Sequence, residues 1–428
     1  MMTDISVITL GCSKNTVDTE HLLANLPADA FNIIQPDEIG KKHADCLLIN
    51  TCGFIGDAKE ESVNTILDAV EAKKRGDVGK LVVFGCLSQR YGKELPVEIP
   101  EVDAWFGARD LDPVITYLGA VPGRHTDRYM TTRRGYAYLK ISEGCDRRCS
   151  YCAIPFIRGA HRSVPIEDLV EEAGKLAASG VRELILIAQD TTFYGLDLYH
   201  RRALAELIER LSEVEGIEWI RIHYSYPADF PEDVLDCMAD NPKVCKYMDI
   251  PLQHISDKVL DLMHRNVTGE WTRNLVRKMR ERVPGVVLRT TMITGHPGEG
   301  EAEFEELLDF MKEARFERLG AFTYSEEEGT YGAGHYADDI SEEVKERRYD
   351  ALMSLQSGIS LKFNRSRIGK VEKVLVDDCV NGTLICRSQY ESPEVDGEIL
   401  VKGNAPVGSF INVRITAVDE YDLTAKIL

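Results

Sequence analysis

The stretch SEGCDRRCSYCAIP, residues 142–155, places Cys145, Cys149 and Cys152 in a CxxxCxxC spacing directly after the apolar run of residues 136–141. Three thiolates at this spacing, on a short loop leaving a strand, can hold three irons of a 4Fe-4S cube and leave the fourth iron without a protein ligand. An open iron can bind a substrate or cofactor. The competing reading is a zinc knuckle. A structural zinc site takes four ligands, and the next candidate, His161, lies nine residues on, past Pro155. The spacing therefore favours a redox cluster.

Upstream, one pattern occurs three times: ISVITLGC ends at Cys12, CLLINTC at Cys52 and KLVVFGC at Cys86. Each cysteine terminates an apolar, β-branched run. The helix-like stretches 15–25 and 58–75 lie between these runs, a βαβ alternation that predicts parallel strands. Loops at the carboxyl ends of such strands line one crevice, so the three cysteines can converge there. Taken singly, each reads as a core thiol, because free cysteine is among the most buried residues. Their shared position in three repeats favours a second three-thiolate centre. Residues 111–134, with Pro113, Pro122, Gly123 and a basic TTRR end, read as a linker.

Between residues 136 and 364, strand-like runs at 136–142, 183–188, 219–225, 246–252, 286–294 and 318–324 alternate with helical segments such as 166–179 and 302–314. Six units predict a partial, open (βα) barrel with its working groups on the loops after the strands. Candidate groups stand there: Gln189, Asp190 and Thr191; His223, Tyr224 and Ser225; Gln253 and His254; Arg289; and Gly295, Pro297 and Gly298. Any one alone reads as well as capping or turn chemistry. Their common place favours a cofactor and substrate pocket. After a helix at 342–363, residues 370–428 read as five short strands punctuated by Asn381-Gly382, Pro393, Gly403 and Pro406, which predicts a small β-barrel. Cys379 and Cys386 within it are taken as ordinary thiols.

Length and charge bound the rest. A chain of 428 residues predicts two or three domains, and its 11 cysteines, an odd number, argue against a disulfide framework. No apolar run approaches the ~18 residues that span a membrane, and the N-terminus lacks a signal pattern, so a cytoplasmic location is expected. The net charge of -20 is spread along the chain: 13 Lys+Arg against 20 Asp+Glu in residues 1–130, 31 against 41 in 131–365, and 7 against 10 in 366–428. No segment is basic enough for a polyanion-binding module, so nucleic acid is not expected as the main partner. A basic partner is favoured.

The CxxxCxxC loop with Tyr151 before its last cysteine, on a partial (βα) barrel, resembles the radical S-adenosylmethionine (SAM) superfamily. With the Cys12, Cys52, Cys86 trio, the stretch IPLQHISDKVLDLMHR, the ITGHPGE turn and the terminal barrel, the whole chain is similar to the methylthiotransferases of that superfamily. His296 and Gly300 stand where the family more usually has an aromatic residue and threonine. The segment AQDTTFYG, residues 188–195, is similar to the branch that modifies an aspartate of small-subunit ribosomal protein twelve; the branch acting on an adenosine of transfer RNA usually carries a sequence closer to GQNVNSY. The resemblance implies an N-terminal parallel α/β domain over 1–130, a central partial (βα)6 radical SAM barrel over 131–364 and a small antiparallel, TRAM-like β-barrel over 365–428. It implies two 4Fe-4S clusters, one on Cys145, Cys149 and Cys152 that cleaves SAM to a 5'-deoxyadenosyl radical, and one on Cys12, Cys52 and Cys86 that supplies a methylated sulfur to the aspartate β-carbon. SAM-pocket groups would be Tyr151, Gln189, Asp190, Arg289 and the Ile293 to Pro297 turn with Gly295; no catalytic side chain beyond the cluster ligands follows from it. Implied partners are the basic ribosomal protein, free or in the ribosome, and an electron donor such as flavodoxin, with no membrane.

Overall fold

The computed structural model describes residues 2–131 and 135–428. Two compact units divide it: one holds the chain up to Thr131 together with Glu143–Arg147 and Cys152–Arg162, the other chiefly Arg148–Tyr151 and Ser163–Leu428.

The first unit is built on five parallel strands, β1 (Thr3–Thr9), β2 (Phe31–Ile33), β3 (Ala44–Thr51), β4 (Val78–Gly85) and β5 (Ala104–Trp105), in the order β2-β1-β3-β4-β5. Alternation along the strands gives each face its own core. Leu47, Ile49, Leu81 and Val83 pack on one side with Ile66 and Val70 of the helix Gly56–Arg75, and Cys46, Leu48, Val82 and Phe84 pack on the other with Leu22 of the helix Ser13–Ala24. Residues 111–131 differ from the linker expected of them. They contain a helix, Asp112–Tyr117, whose Val114 and Ile115 enter the second of these cores. Arg128 pairs with the buried Glu20, whose other oxygen accepts from Thr131 N–H at 2.8 Å. A buried carboxylate needs such partners, and this one draws the segment onto the unit. The rest of the TTRR end, 132–134, lies outside the described residues.

The second unit opens with β6 (Tyr136–Lys140); the two-residue strands β7 (Ser142–Glu143) and β8 (Arg162–Ser163) then flank the cysteine loop in sequence. There follow β9 (Glu183–Ile187), β10 (Trp219–Ile222), β11 (Val244–Asp249), β12 (Val287–Thr294) and β13 (Arg318–Thr323). With β6 they form one parallel sheet, β13-β12-β11-β10-β9-β6, whose edges are β6 and β13, the open barrel expected from six strand-helix units. The final five strands, β14 (Val371–Val380), β15 (Thr383–Arg387), β16 (Ile399–Lys402), β17 (Phe410–Val418) and β18 (Leu423–Ile427), close into a barrel around Val374, Leu384, Val401 and Ile415. Its strand pairs are antiparallel as expected, except that β16 and β18 meet in parallel.

The connection from β15 to β16 enters the open barrel. Its Gln389 carbonyl accepts from Arg221 at 2.9 Å, Ser392 Oγ lies 2.8 Å from His223 Nε2, Glu394 accepts from Tyr138 at 2.9 Å, and Asp396 accepts from Tyr247 at 2.6 Å. Glu391 pairs with Arg318 and Arg367; burial opposes its ionisation, but the two guanidiniums outweigh that and hold its pKa down at about 2. No helix among the described residues is long and apolar enough to cross a membrane.

Candidate functional site

Cys12, Cys52 and Cys86 stand at the carboxyl ends of three adjacent strands, β1, β3 and β4. Asn15 holds the first two ends together, its Nδ2 donating to Leu10 O at 2.8 Å and Thr51 O at 3.1 Å. Ser62 exchanges hydrogen bonds with the backbone N–H and carbonyl of Cys52. Gly11 has φ +88°, and a Cβ there would sit 2.9 Å from Cys52 Sγ, so only glycine lets the first loop pass this close to the second thiol. Burial raises the pKa of Cys52 and pushes that of Cys86 up to about 12, and charge on Cys12 adds to both, a sign that the three thiols share one locality. Such thiols stay protonated unless a metal takes the proton's place. Arg158 works against this at Cys86: its Nε donates to Cys86 Sγ at 3.3 Å.

The second trio sits on one loop, and all its cysteines are half-buried. Cys145 N–H donates to Gly159 O at 3.0 Å, and Gly144, at φ +78°, runs so close to Ala160 O that a Cβ would approach it to 2.1 Å. Around Cys149 the chain is pinned by Ser150 N–H donating to Met263 O at 3.0 Å and by Gly332 N–H donating to Ser150 O at 2.7 Å. Arg265 stacks on Tyr226 with 4.2 Å to the ring centre, and its Nη1 lies 3.6 Å from Cys149 Sγ and 3.4 Å from Tyr151 Oη.

Among the described residues no group of three or more His, Cys, Asp or Glu is arranged to hold a single metal ion. A cube asks for something else, one thiolate on each of three different irons. All-sulfur donor sets and a glycine cradle at Gly11 fit such a group better than they fit a hard cation.

Of the expected SAM-pocket groups, Tyr151 and the β12 turn come together: the Tyr151 ring is edge-on to His296 with centroids 6.4 Å apart. His296 is fully buried, meets Tyr324 edge-on at 5.0 Å, and has its pKa lowered to about 4 by burial. Ile293 N–H donates to Gln253 O at 2.8 Å, Gly295 N–H donates to Glu299 Oε2 at 3.0 Å, and the Pro297 carbonyl lies 2.9 Å from His296 Nδ1. Ser150 Oγ, Gln253 Oε1, Arg265 Nε and His296 Nε2 are buried with no hydrogen-bond partner among the described residues. Buried polar atoms are ordinarily satisfied, so this cluster fits a polar ligand. Arg289 lies lower on β12, its Nη1 donating to Asp249 at 2.8 Å and its Nε 3.8 Å from Asp396. Asp190 Oδ1 caps its own turn, accepting from Thr192 N–H at 2.9 Å and Oγ1 at 2.6 Å, while Gln189 stands half-buried before it. Thr191 Oγ1 donates to His223 O at 2.9 Å, joining two of the post-strand loops. Sequence reading missed Arg158, Arg265, Tyr226 and Ser150, since none has a spacing that announces a partner so far along the chain.

The model of the radical SAM superfamily matches residues 139–311, that of the uncharacterized protein family UPF0004 residues 4–107, and the TRAM domain residues 368–428. The radical SAM methyltransferase TsrM from Kitasatospora setae shares the fold, with a TM-score of 0.57 over 76% of this chain and 75% of that one at 16% identity. The radical SAM enzyme OxsB shares it with a TM-score of 0.53 over 84% of this chain and 56% of that one at 15% identity. Open parallel barrel and cysteine loop together define the class, a radical SAM protein. Among full-length relatives, the ribosomal protein uS12 methylthiotransferase RimO of Bacteroides fragilis is 49% identical over 99% of both chains, and that of Porphyromonas gingivalis 51% identical over 99% of both. The chain belongs to the family of ribosomal protein uS12 methylthiotransferases, RimO.

Proposed function

We propose that the protein uses SAM and two 4Fe-4S clusters to add a methylthio group to the β-carbon of an aspartate in ribosomal protein uS12. The observation that carries this reading is the set of relatives bearing that name at about half identity over nearly the whole chain. SAM at a reduced cluster supplies one-electron cleavage of a sulfonium, and hence hydrogen abstraction from a carbon that no side-chain base could readily deprotonate. Cys145, Cys149 and Cys152 would hold that cluster, and Cys12, Cys52 and Cys86 the second, which would supply the methylated sulfur.

The chain's own residues then orient the cofactor. Tyr151 and the Ile293 to Pro297 turn would frame SAM, with Ser150, Gln253 and His296 offering the polar atoms that have no partner among the described residues. Arg289 would act from below, held by Asp249, whose own carboxyl burial would raise but Arg289 keeps low. Gln189 and Asp190 would shape the pocket through their turn.

A basic protein suits the surface better than a polyanion. Residues 366–428 carry 7 Lys+Arg against 10 Asp+Glu, whereas a transfer RNA reader neutralises phosphates with basic side chains. A cavity of about 590 Å³ lined by Asp257, Asp261, His264, Thr268 and Trp271 adds two carboxylates beside an exposed indole. A reductant such as flavodoxin would supply the electron. Mass spectrometry after co-expression tests the reading: one methylthio group on uS12 is expected, and finding it only on transfer RNA would transfer the protein to the other branch of the methylthiotransferases.

A further inference from the structure

Arg158 ends the short helix Ile154–Arg158, which begins two residues after Cys152, and its side chain is almost wholly buried in the first unit. It donates from Nη1 to Asp18 at 2.7 Å, Glu143 at 3.1 Å and Ala108 O at 3.2 Å, and from Nη2 to Asn15 Oδ1 at 2.5 Å. Two carboxylates more than balance its charge. They would satisfy a buried guanidinium without help from sulfur. Yet Nε, the donor that cannot swing independently of the fork, points at Cys86 Sγ from 3.3 Å.

A neutral thiol is a weak acceptor. Spending a buried guanidinium N–H on one gains little, whereas the same bond to a sulfur carrying negative charge is a charge-assisted one. Neighbouring residues fix the geometry: Cys86 packs with Ala108, Ala153 and Ile157 in one small apolar cluster, so the helix bearing Arg158 and the helix opened by Cys86 hold a set distance. Asn15, which ties the loops of Cys12 and Cys52, receives the other end of the guanidinium.

We propose that Arg158 is a positioning residue of the centre on Cys12, Cys52 and Cys86, donating its Nε–H to the Cys86 sulfur as an iron-bound thiolate and so raising that centre's reduction potential. This rests on the reading that those three cysteines hold a cluster. Reduction adds one electron to the cluster and its sulfurs, and a hydrogen bond to sulfur stabilises the more negative, reduced state. Losing the bond lowers the potential.

The test uses the full chain with Cys145, Cys149 and Cys152 all replaced by alanine, reconstituted anaerobically, with iron counted and the potential read by EPR during a redox titration. About four irons are expected on this background. Arg158→Lys keeps a charge for Asp18 and Glu143 but has no planar Nε–H, and should shift the one-electron equilibrium towards the oxidised form by tenfold or more, about 59 mV. Arg158→Gln should shift it further, and where that variant fails to fold the lysine variant decides. Four irons with an unmoved potential in Arg158→Lys would overturn the role of Arg158 while leaving the cluster reading intact. No iron on the background would instead overturn the cluster reading itself.

Discussion

The two cysteine trios are brought together by opposite routes. Cys12, Cys52 and Cys86 come from the ends of three strands and owe their meeting to the register of a parallel sheet, whereas Cys145, Cys149 and Cys152 lie within eight residues of one another on a single loop. Cys52 and Cys86 of the first trio are buried; the second trio is half-buried throughout. The difference teaches that a site assembled by tertiary structure is bound to the stability of its domain, while a site assembled by a loop depends on the few groups that pin that loop. Each trio also has a buried arginine on one of its sulfurs, Arg158 on Cys86 and Arg265 near Cys149.

The strongest way to break this comparison is to remove one cysteine from each side. Cys145→Ala should abolish SAM cleavage, and Cys12→Ala should spare cleavage but abolish methylthio transfer, each lowering bound iron from about eight to about four per chain. Cleavage surviving in both variants, measured by release of 5'-deoxyadenosine, would end the division of labour.

A smaller effect separates the two environments by pH. His296, beside the loop trio's Tyr151, has a folded pKa of about 4 because burial disfavours its charge, against about 6.5 when unfolded. The unfolded state therefore binds the extra proton between these values. Stability from this residue is intact above pH 6.5 and is lost as pH falls to 4, by about 3 kcal/mol in all. His296→Phe should flatten that limb in denaturant titrations run from pH 7 to 4, and an unchanged limb would place the acid sensitivity elsewhere.

The smallest expected effect sharpens the tertiary side. Gly11→Ala puts a Cβ 2.7 Å from Cys52 Cβ at φ +88°, which should cost about 2 kcal/mol. Iron at the loop trio should persist while the other centre fails to fill. Full iron in this variant would show that the strand-end site tolerates more movement than its glycine cradle implies.

Much of this is legible in the sequence. The six barrel strands are apolar runs that begin and end within a few residues of their sequence boundaries, and the five terminal strands are fenced by Asn381-Gly382, Pro393, Gly403 and Pro406. Cys12, Cys52 and Cys86 could be aligned because each closes the same kind of run. What escaped had physical reasons. Strands β2 and β5 are three and two residues long, too short for alternation to register. Residues 111–131 carry linker-like prolines and glycine, but Val114, Ile115 and the buried Glu20 with Arg128 and Thr131 fasten them to the first sheet. Arg158 reaches Asp18 across 140 positions, and Arg265 reaches Cys149 across 116. No local pattern encodes such a partner.

The insertion of the β15–β16 connection into the open barrel bears on how this chain can be rebuilt. Arg221, His223, Tyr247 and Arg318 each find a partner on that connection. A terminal barrel transplanted from another protein would have to bring a matching connection, or leave Arg221, His223, Tyr247 and Arg318 each short of a partner. The last sixty residues are therefore a fitted part of the second unit, and their outward faces are where change disturbs it least.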